Sequence, residues 1–327
     1  MLRVKGEIDI NQAAHWAMNL GCEKLADSLY RTMLHCEGQR SIRVNGLRFR
    51  RERIEATTNN SYQAVLGLTN KERISIIEKA IHSCIEFNGG IGDHLEELSR
   101  IIPWMQSNNI EITFSSSESR IKQLQSATSE YRWRKKVGLG VTSKYFLAAL
   151  GEQLPKPKSF INDINTQEVG TGDVLLCLTA AGDSDKLSRW ARSLRLNDTR
   201  ELIKRINSYC GKITDISVWK EWELTYLNQV NIARYDPTKG DIMDLAKLVA
   251  DHKFVITIDT AMAHLCAAAN KKCIVMLPRY YDERWNELMQ ENTSYRKNCT
   301  LVIQEKHGIW DESIEKVANI IKNLSCG

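Results

Sequence analysis

The sequence has no Cys-x-x-Cys pair and no paired histidines to complete a zinc set, although nine cysteines are spread along its 327 residues. Their dispersal through expected strands and helices excludes a disulfide framework and reads as small core residues in a reducing compartment. Long apolar runs are missing too. The longest, such as 174–181, fall far below the roughly 20 residues needed to cross a bilayer. The first residues, Met-Leu-Arg-Val-Lys-Gly-Glu-Ile-Asp, lack the apolar stretch of a signal peptide. A cytoplasmic protein is therefore expected, with peripheral membrane association left open. Strong charge of one sign is also absent: 45 Lys and Arg stand against 40 Asp and Glu, a net of +5. The one basic cluster, Leu-Arg-Phe-Arg-Arg-Glu-Arg at 47–53, reads as a solvated segment. Nucleic acid is not an expected partner, because its binding calls for many cations gathered on one face.

What is present is an ordinary globular composition, 43% hydrophobic and 26% charged, in a chain long enough for roughly two domains. The first eighty residues read as helical. Patterns at 11–20 and 23–35 flank Gly21-Cys22, and Ala14, Ala17, Gly21, Ala26 and Tyr30 have the spacing of one tetratricopeptide helix pair, without a convincing second copy at a period of about 34. A helix at 71–83 leads into a strand at 84–87, the turn Asn88-Gly89-Gly90-Ile91-Gly92-Asp93, a helix at about 94–106 and a strand at 110–115. Periodicity weakens over 131–167, where Pro155 and Pro157 punctuate a surface stretch, and a boundary is placed there. The expected division is a helical extension at 1–80, an α/β lobe at 81–165 and a second α/β lobe at 166–327. In the last, strands at 174–179, 213–218, 254–258, 273–277 and 301–304 alternate with helices at 198–209, 242–250, 260–269 and 311–324. Such alternation predicts a parallel sheet covered by helices, and two such lobes place a ligand cleft at their strand ends.

Two strand-to-helix turns carry candidate chemistry. In Phe254-Val-Ile-Thr-Ile-Asp259-Thr260-Ala261-Met-Ala-His264, a strand fit for burial on both faces ends in an Asp-Thr pair where an N-cap belongs. The small residues that follow let a ligand approach. Free amides and the positive end of the helix dipole suit a phosphate or diphosphate, and His264 adds a donor near the first turn. The plain alternative is a capped helix with a core histidine. The glycine turn at 89–92 also permits close approach, yet it lacks the Gly-Lys-Ser/Thr ending of a Walker loop. Leu95 stands where a dinucleotide fingerprint has its third glycine, and 107–109 are neutral where an acidic ribose partner belongs. A dinucleotide-dependent oxidoreductase is thus the weaker enzyme reading.

Gly90-Ile91-Gly92-Asp93-x-Leu95 followed by Pro103 resembles the N-terminal Gly-Asp-x-Leu…Pro element of glycosyltransferase family 9, the bacterial heptosyltransferase-like enzymes. Ile258-Asp259-Thr260-x-x-x-His264-Leu265 is similar to that family's Asp-Thr-Gly-x-x-His-Leu-Ala-Ala donor element, with Ala261 in place of the glycine. Arg192-Ser-Leu-Arg-Leu, the stretch 278–285 and Gly308-Ile309-Trp310-Asp311 resemble segments of its tetratricopeptide-bearing relatives. The resemblance covers about 83–324. It implies a GT-B-like α/β fold, two Rossmann-like lobes facing a cleft, with the N-terminal helical, tetratricopeptide-like extension. It also implies inverting transfer, without metal or cofactor, from a nucleotide sugar to a glycan, lipid-linked or protein acceptor. Residue by residue, Asp93 matches the general base, and Asp259, Thr260, Ala261 and His264 match the donor site. Gly90, Gly92 and Arg192 are placed beside the donor, with Lys186 as a further cation. A non-catalytic GT-B-like scaffold keeps the fold without the chemistry, and a protein partner on the N-terminal helices stays open.

Overall fold

The computed structural model describes residues 69–161, 173–180, 192–219, 221–227, 232–237, 239–279, 281–282 and 284–325, together with Ala17, Cys22 and Leu25. The helix pair expected at 11–35, apart from those three positions, and Lys186 lie outside the described residues. Strands β1 (Ile85–Glu86), β2 (Phe114–Ser116), β3 (Trp133–Lys135) and β4 (Val141–Thr142) form one wholly parallel sheet in the order β3-β2-β1-β4. Strands β5 (Val174–Cys177), β6 (Ile213–Asp215), β7 (Ala233–Arg234), β8 (Phe254–Ile258), β9 (Cys273–Leu277) and β10 (Cys299–Ile303) form a second, also parallel, in the order β10-β9-β8-β5-β6-β7. Every residue of β8 and β9 is buried, which is why both are unbroken apolar runs rather than alternating ones.

The connections are helical. In the first lobe they are α1 (Asn70–His82), α2 (Ile91–Asn108), α3 (Glu118–Leu124) and α4 (Ser143–Leu150). In the second they are α5 (Leu196–Ile206), α6 (Glu221–Leu227), α7 (Ile242–Ala250), α8 (Ala261–Ala268), α9 (Arg284–Leu288), α10 (Ser294–Asn298) and α11 (Asp311–Ser325). Helix α1, which the sequence division puts in the helical extension, packs on α4 and β4. Its start is fixed by a capping box in which Thr69 and Glu72 exchange hydrogen bonds. The stretch where periodicity weakens holds β3, β4 and α4; strands of three and two residues are too short to show alternation. Among the described residues no helix is long and apolar enough to cross a membrane.

In each sheet the chain winds outward on one side of its first strand and then returns to the other. The reversals fall between β1 and β4 and between β5 and β8. Ligands of open α/β sheets bind outside the strand carboxyl ends at such points. The turn after β1 is 87–90, with Gly89 and Gly90, and the turn after β8 is Asp259-Thr260.

One core runs through both lobes: Leu95, Leu98 and Ile102 of α2 share it with Met262, Ala263 and Leu265 of α8. Small residues on α8 let the two helices lie close. Pro103, inside α2, has no N–H to give the carbonyl one turn back. That carbonyl, of Ser99, instead accepts from the Lys158 amide at 3.0 Å. Arg100 reaches the Pro155 carbonyl at 3.1 Å, and the Phe160 and Ile161 amides both reach the Ala268 carbonyl at 3.0 Å. The inter-lobe strap 155–161 is therefore hydrogen-bonded to both helices that join the lobes.

Glu97 of α2 is buried, and its Oε2 finds no hydrogen-bond partner among the described residues. Burial pushes its carboxyl up to about 8, against the pull of Ser143 and Lys144. A carboxyl whose folded value is raised binds its proton more tightly than in the unfolded chain. The stability tied to it is fully present below its ordinary value of 4.5 and is lost as pH rises through about 8. Glu97→Gln is expected to raise Tm at pH 8.5 by about 2–6 °C and to leave it nearly unchanged at pH 4.5. Thermal unfolding at the two pH values checks this, and an equal shift at both would contradict it.

Candidate active site

Helices α2 and α8, one from each lobe, pack side by side with their amino ends together. A Cβ added to Gly92 would lie 2.8 Å from His264 Cδ2 and 3.2 Å from the Ala261 Cα, so only glycine allows this approach. Beside the contact is a cavity of about 360 Å³, lined from the first lobe by Gly90–Asp93 and Arg120, and from the second by Cys177, Thr179, Arg192, the start of α8 and Arg284. Its far wall is apolar, with Ile216, Val218, Pro237, Ile242 and Leu245.

Helix α2 starts at Ile91, so Asp93 sits in its first turn and not in the preceding loop. Its Oδ2 accepts from the Gly90 amide at 2.8 Å, closing the helix start. Gly89 has φ +102°, and a side chain there would strike the Asp93 carboxylate. The other oxygen, Oδ1, points across the cleft and accepts from Arg284 Nη1 at 2.8 Å. Burial opposes ionisation of Asp93, yet Arg284, the Gly90 amide and His264 together hold it below the usual carboxylate range.

Thr260 is the N-cap of α8, its hydroxyl accepting from the Met262 amide at 3.3 Å. Asp259 does not cap. It is buried between two guanidiniums: Arg192 Nη1 donates to its backbone carbonyl at 3.1 Å and lies 3.8 Å from its carboxylate, and Arg284 Nη2 is also 3.8 Å away. Burial works against its charge, but Arg284 and then Arg192 keep Asp259 ionised. Ala261 and Met262 line the cavity at the helix start.

His264 is buried, with Nδ1 2.6 Å from the Tyr295 hydroxyl and its ring stacked on Trp285. Burial, reinforced by Arg284, lowers its pKa, so the imidazole is neutral at neutral pH. It brings a polar edge to the cavity and no charge. Positive potential there comes from Arg192 and Arg284, with Arg120 on the wall of the first lobe.

The sequence reading brought Asp93, Gly90, Gly92, Arg192, Asp259, Thr260, Ala261 and His264 to this cavity, and all eight line it. It missed Arg284, which faces four carboxylates within 4 Å: Asp93, Glu96 at 3.8 Å, Asp259 and Asp282 at 3.6 Å. Burial pushes Asp282 up to about 6 although Arg284 pulls it down. The signal for Arg284 was its place just after β9, whose carboxyl end is beside that of β8 in a parallel sheet. Arg120 and the apolar wall were also unforeseen; nothing in their local sequence sets them apart.

No family profile matches the chain, and no curated protein matches it. Solved structures do. E. coli ADP-heptose LPS heptosyltransferase II superposes with a TM-score of 0.54 at 12% identity, over 75% of this chain and 98% of that one. E. coli heptosyltransferase WaaC with ADP gives 0.47 at 14% identity, over 73% and 99% of the two chains. The bacterial iron-containing dodecameric glycosyltransferase TibC of enterotoxigenic E. coli H10407 gives 0.46 at 12% identity, over 74% and 75%. The two parallel α/β lobes are thus the fold of heptosyltransferase II, the GT-B-like architecture expected from sequence.

Gly92→Ala is expected to force the two helix starts apart and to cost about 1–3 kcal/mol, as overpacking does. Urea unfolding measures it. Wild-type stability in this variant would show that the contact yields freely.

Proposed function

We propose that this chain is a glycosyltransferase that moves a sugar from a nucleoside-diphosphate sugar to an acceptor hydroxyl by a single inverting displacement. One observation carries the reading: Asp93 of one lobe faces the start of α8 in the other across a cavity, with Arg192 and Arg284 beside that helix start. The shared fold with heptosyltransferase II raises its likelihood in the same direction. In the step, the acceptor oxygen bonds to the anomeric carbon while the bond from that carbon to the diphosphate oxygen breaks. The acceptor proton passes to the Asp93 carboxylate, and the electron pair leaves on the diphosphate. A carboxylate in reach of the hydroxyl supplies the base. The amides at the start of α8 and the two guanidiniums supply fixed positive potential where charge grows.

The same groups make a divalent cation or cofactor unnecessary in this reading. The apolar wall at Ile216, Val218 and Leu245 offers a face on which a nucleobase lies. Because heptosyltransferase II is named for ADP-heptose, that donor is the first to test. The acceptor, a glycan, lipid-linked or protein hydroxyl, enters from the side of the first lobe, where Asp93 stands.

Calorimetry with ADP, UDP and their sugars, followed by transfer assays, tests the reading. Wild type is expected to bind one nucleoside diphosphate, and Arg192→Ala to weaken that binding about tenfold, the equivalent of ~1.4 kcal/mol. Asp93→Asn is expected to bind the donor at least as tightly as wild type, since no carboxylate then competes for Arg284, while transfer falls by about 10²–10⁴. Transfer is expected to persist in EDTA. No nucleotide binding at millimolar concentration would overturn the reading; normal transfer by Asp93→Asn would remove Asp93 as the base.

A further inference from the structure

The geometry points to Arg284 as the residue that couples donor binding to release of the base: its guanidinium exchanges Asp93 for the donor diphosphate, and the freed carboxylate then takes the acceptor proton. This rests on the nucleotide-sugar reading given above and adds to it an order of events.

Arg284 is largely buried and lies on the cavity wall. Its bond to Asp93 spans the two lobes. That bond is short, but the rest of the guanidinium is poorly engaged. Glu96, Asp259 and Asp282 stand at 3.6–3.8 Å, beyond a good hydrogen bond, and Nε, which faces Asp282, has no hydrogen-bond partner among the described residues. A planar fork with unused donors is suited to two oxygens of a diphosphate, which offers more charge than Asp93 alone. The seat is adjacent, since Arg284 already faces Asp259, the residue before the N-cap of α8.

Asp93 is a poor proton acceptor as it stands. Protonating a carboxylate held by a guanidinium forfeits the pair, so Arg284 lowers its basicity. Around Asp93 the other charged or titratable groups are His264 across the cleft, Arg120 on the cavity wall, and His94, Glu96 and Glu97 on its own helix. Arg284 in turn faces Asp282, Asp259 and Glu96. Of these, Arg284 is the one cation hydrogen-bonded to Asp93 among the described residues. Moving it onto the diphosphate raises the basicity of Asp93 only when a nucleoside diphosphate fills the seat, and it places the positive charge on the leaving group.

The test is a pH titration of the Asp93 carboxyl carbon by NMR in the full chain, assigned with Asp93→Asn, with and without saturating ADP or UDP. In the wild type the nucleotide is expected to raise the midpoint by about 1–3 units, the size of an opposite charge removed from contact. In Arg284→Lys and Arg284→Gln the midpoint is expected to start higher and to move by less than half as much. A nucleotide bound by calorimetry with no change in the wild-type midpoint would overturn the exchange while leaving the nucleotide site standing. So would an equal shift in Arg284→Gln, which assigns the effect to the charge of the nucleotide itself. If neither nucleotide binds, the exchange falls together with the function it rests on. Should both Arg284 variants fail to fold, a structure of the wild type with nucleotide bound decides: Arg284 on the diphosphate and away from Asp93 supports the exchange, and Arg284 still bonded to Asp93 overturns it.

Discussion

The side-by-side contact of two helix starts, Gly92 against Ala261, is the constraint from which the site follows. It brings the positive ends of α2 and α8 together at the carboxyl ends of two parallel sheets. Such ends repel one another and attract carboxylates. Asp93 lies in the first turn of α2 and Asp259 just before the cap of α8, and both are kept ionised there. The slim residues of α8, the glycines before α2 and the strap held by the free Ser99 carbonyl all serve that one approach.

The second consequence is electrostatic. Four carboxylates gather around Arg284, and Arg192 shares only one of them. A partly buried arginine in such company is held by charge more than by ideal geometry. Removing it leaves several uncompensated anions, which is more costly than the pair itself is stabilising. Asp282, pushed up to about 6, is the member of the group that takes up a proton most readily near neutral pH. The cleft thus holds cations balanced by acids, an arrangement in which an incoming anion changes partners instead of adding to a bare positive surface.

Much of the second lobe was legible because β8, β9 and β10 are five residues long, whereas β7, with two, was not foreseen. The sequence expectation for β8 and β9, 254–258 and 273–277, matches the strands residue for residue, since burial on both faces makes them unbroken apolar runs. Strands β3 and β4 carried no such signal at three and two residues. The site was half legible. Asp93, Thr260 and His264 lie in local motifs. Arg284 owes its role to the folded neighbourhood of strands that are distant in sequence, and no local pattern shows that a guanidinium will meet a carboxylate 191 residues away. His264 was read as a donor to the ligand; burial against Trp285 and Tyr295 makes it a neutral group with one nitrogen already engaged. Asp259 was read as a cap, and the two arginines that claim it are again non-local.

A structure of the chain with ADP or UDP bound tests most directly whether the meeting of the two helix starts forms a diphosphate seat. The expected result has the phosphates above the Ala261 and Met262 amides, with Arg192 within hydrogen-bond reach and Asp93 facing the space where the sugar and acceptor meet. A nucleotide bound elsewhere, with the start of α8 untouched, would contradict it.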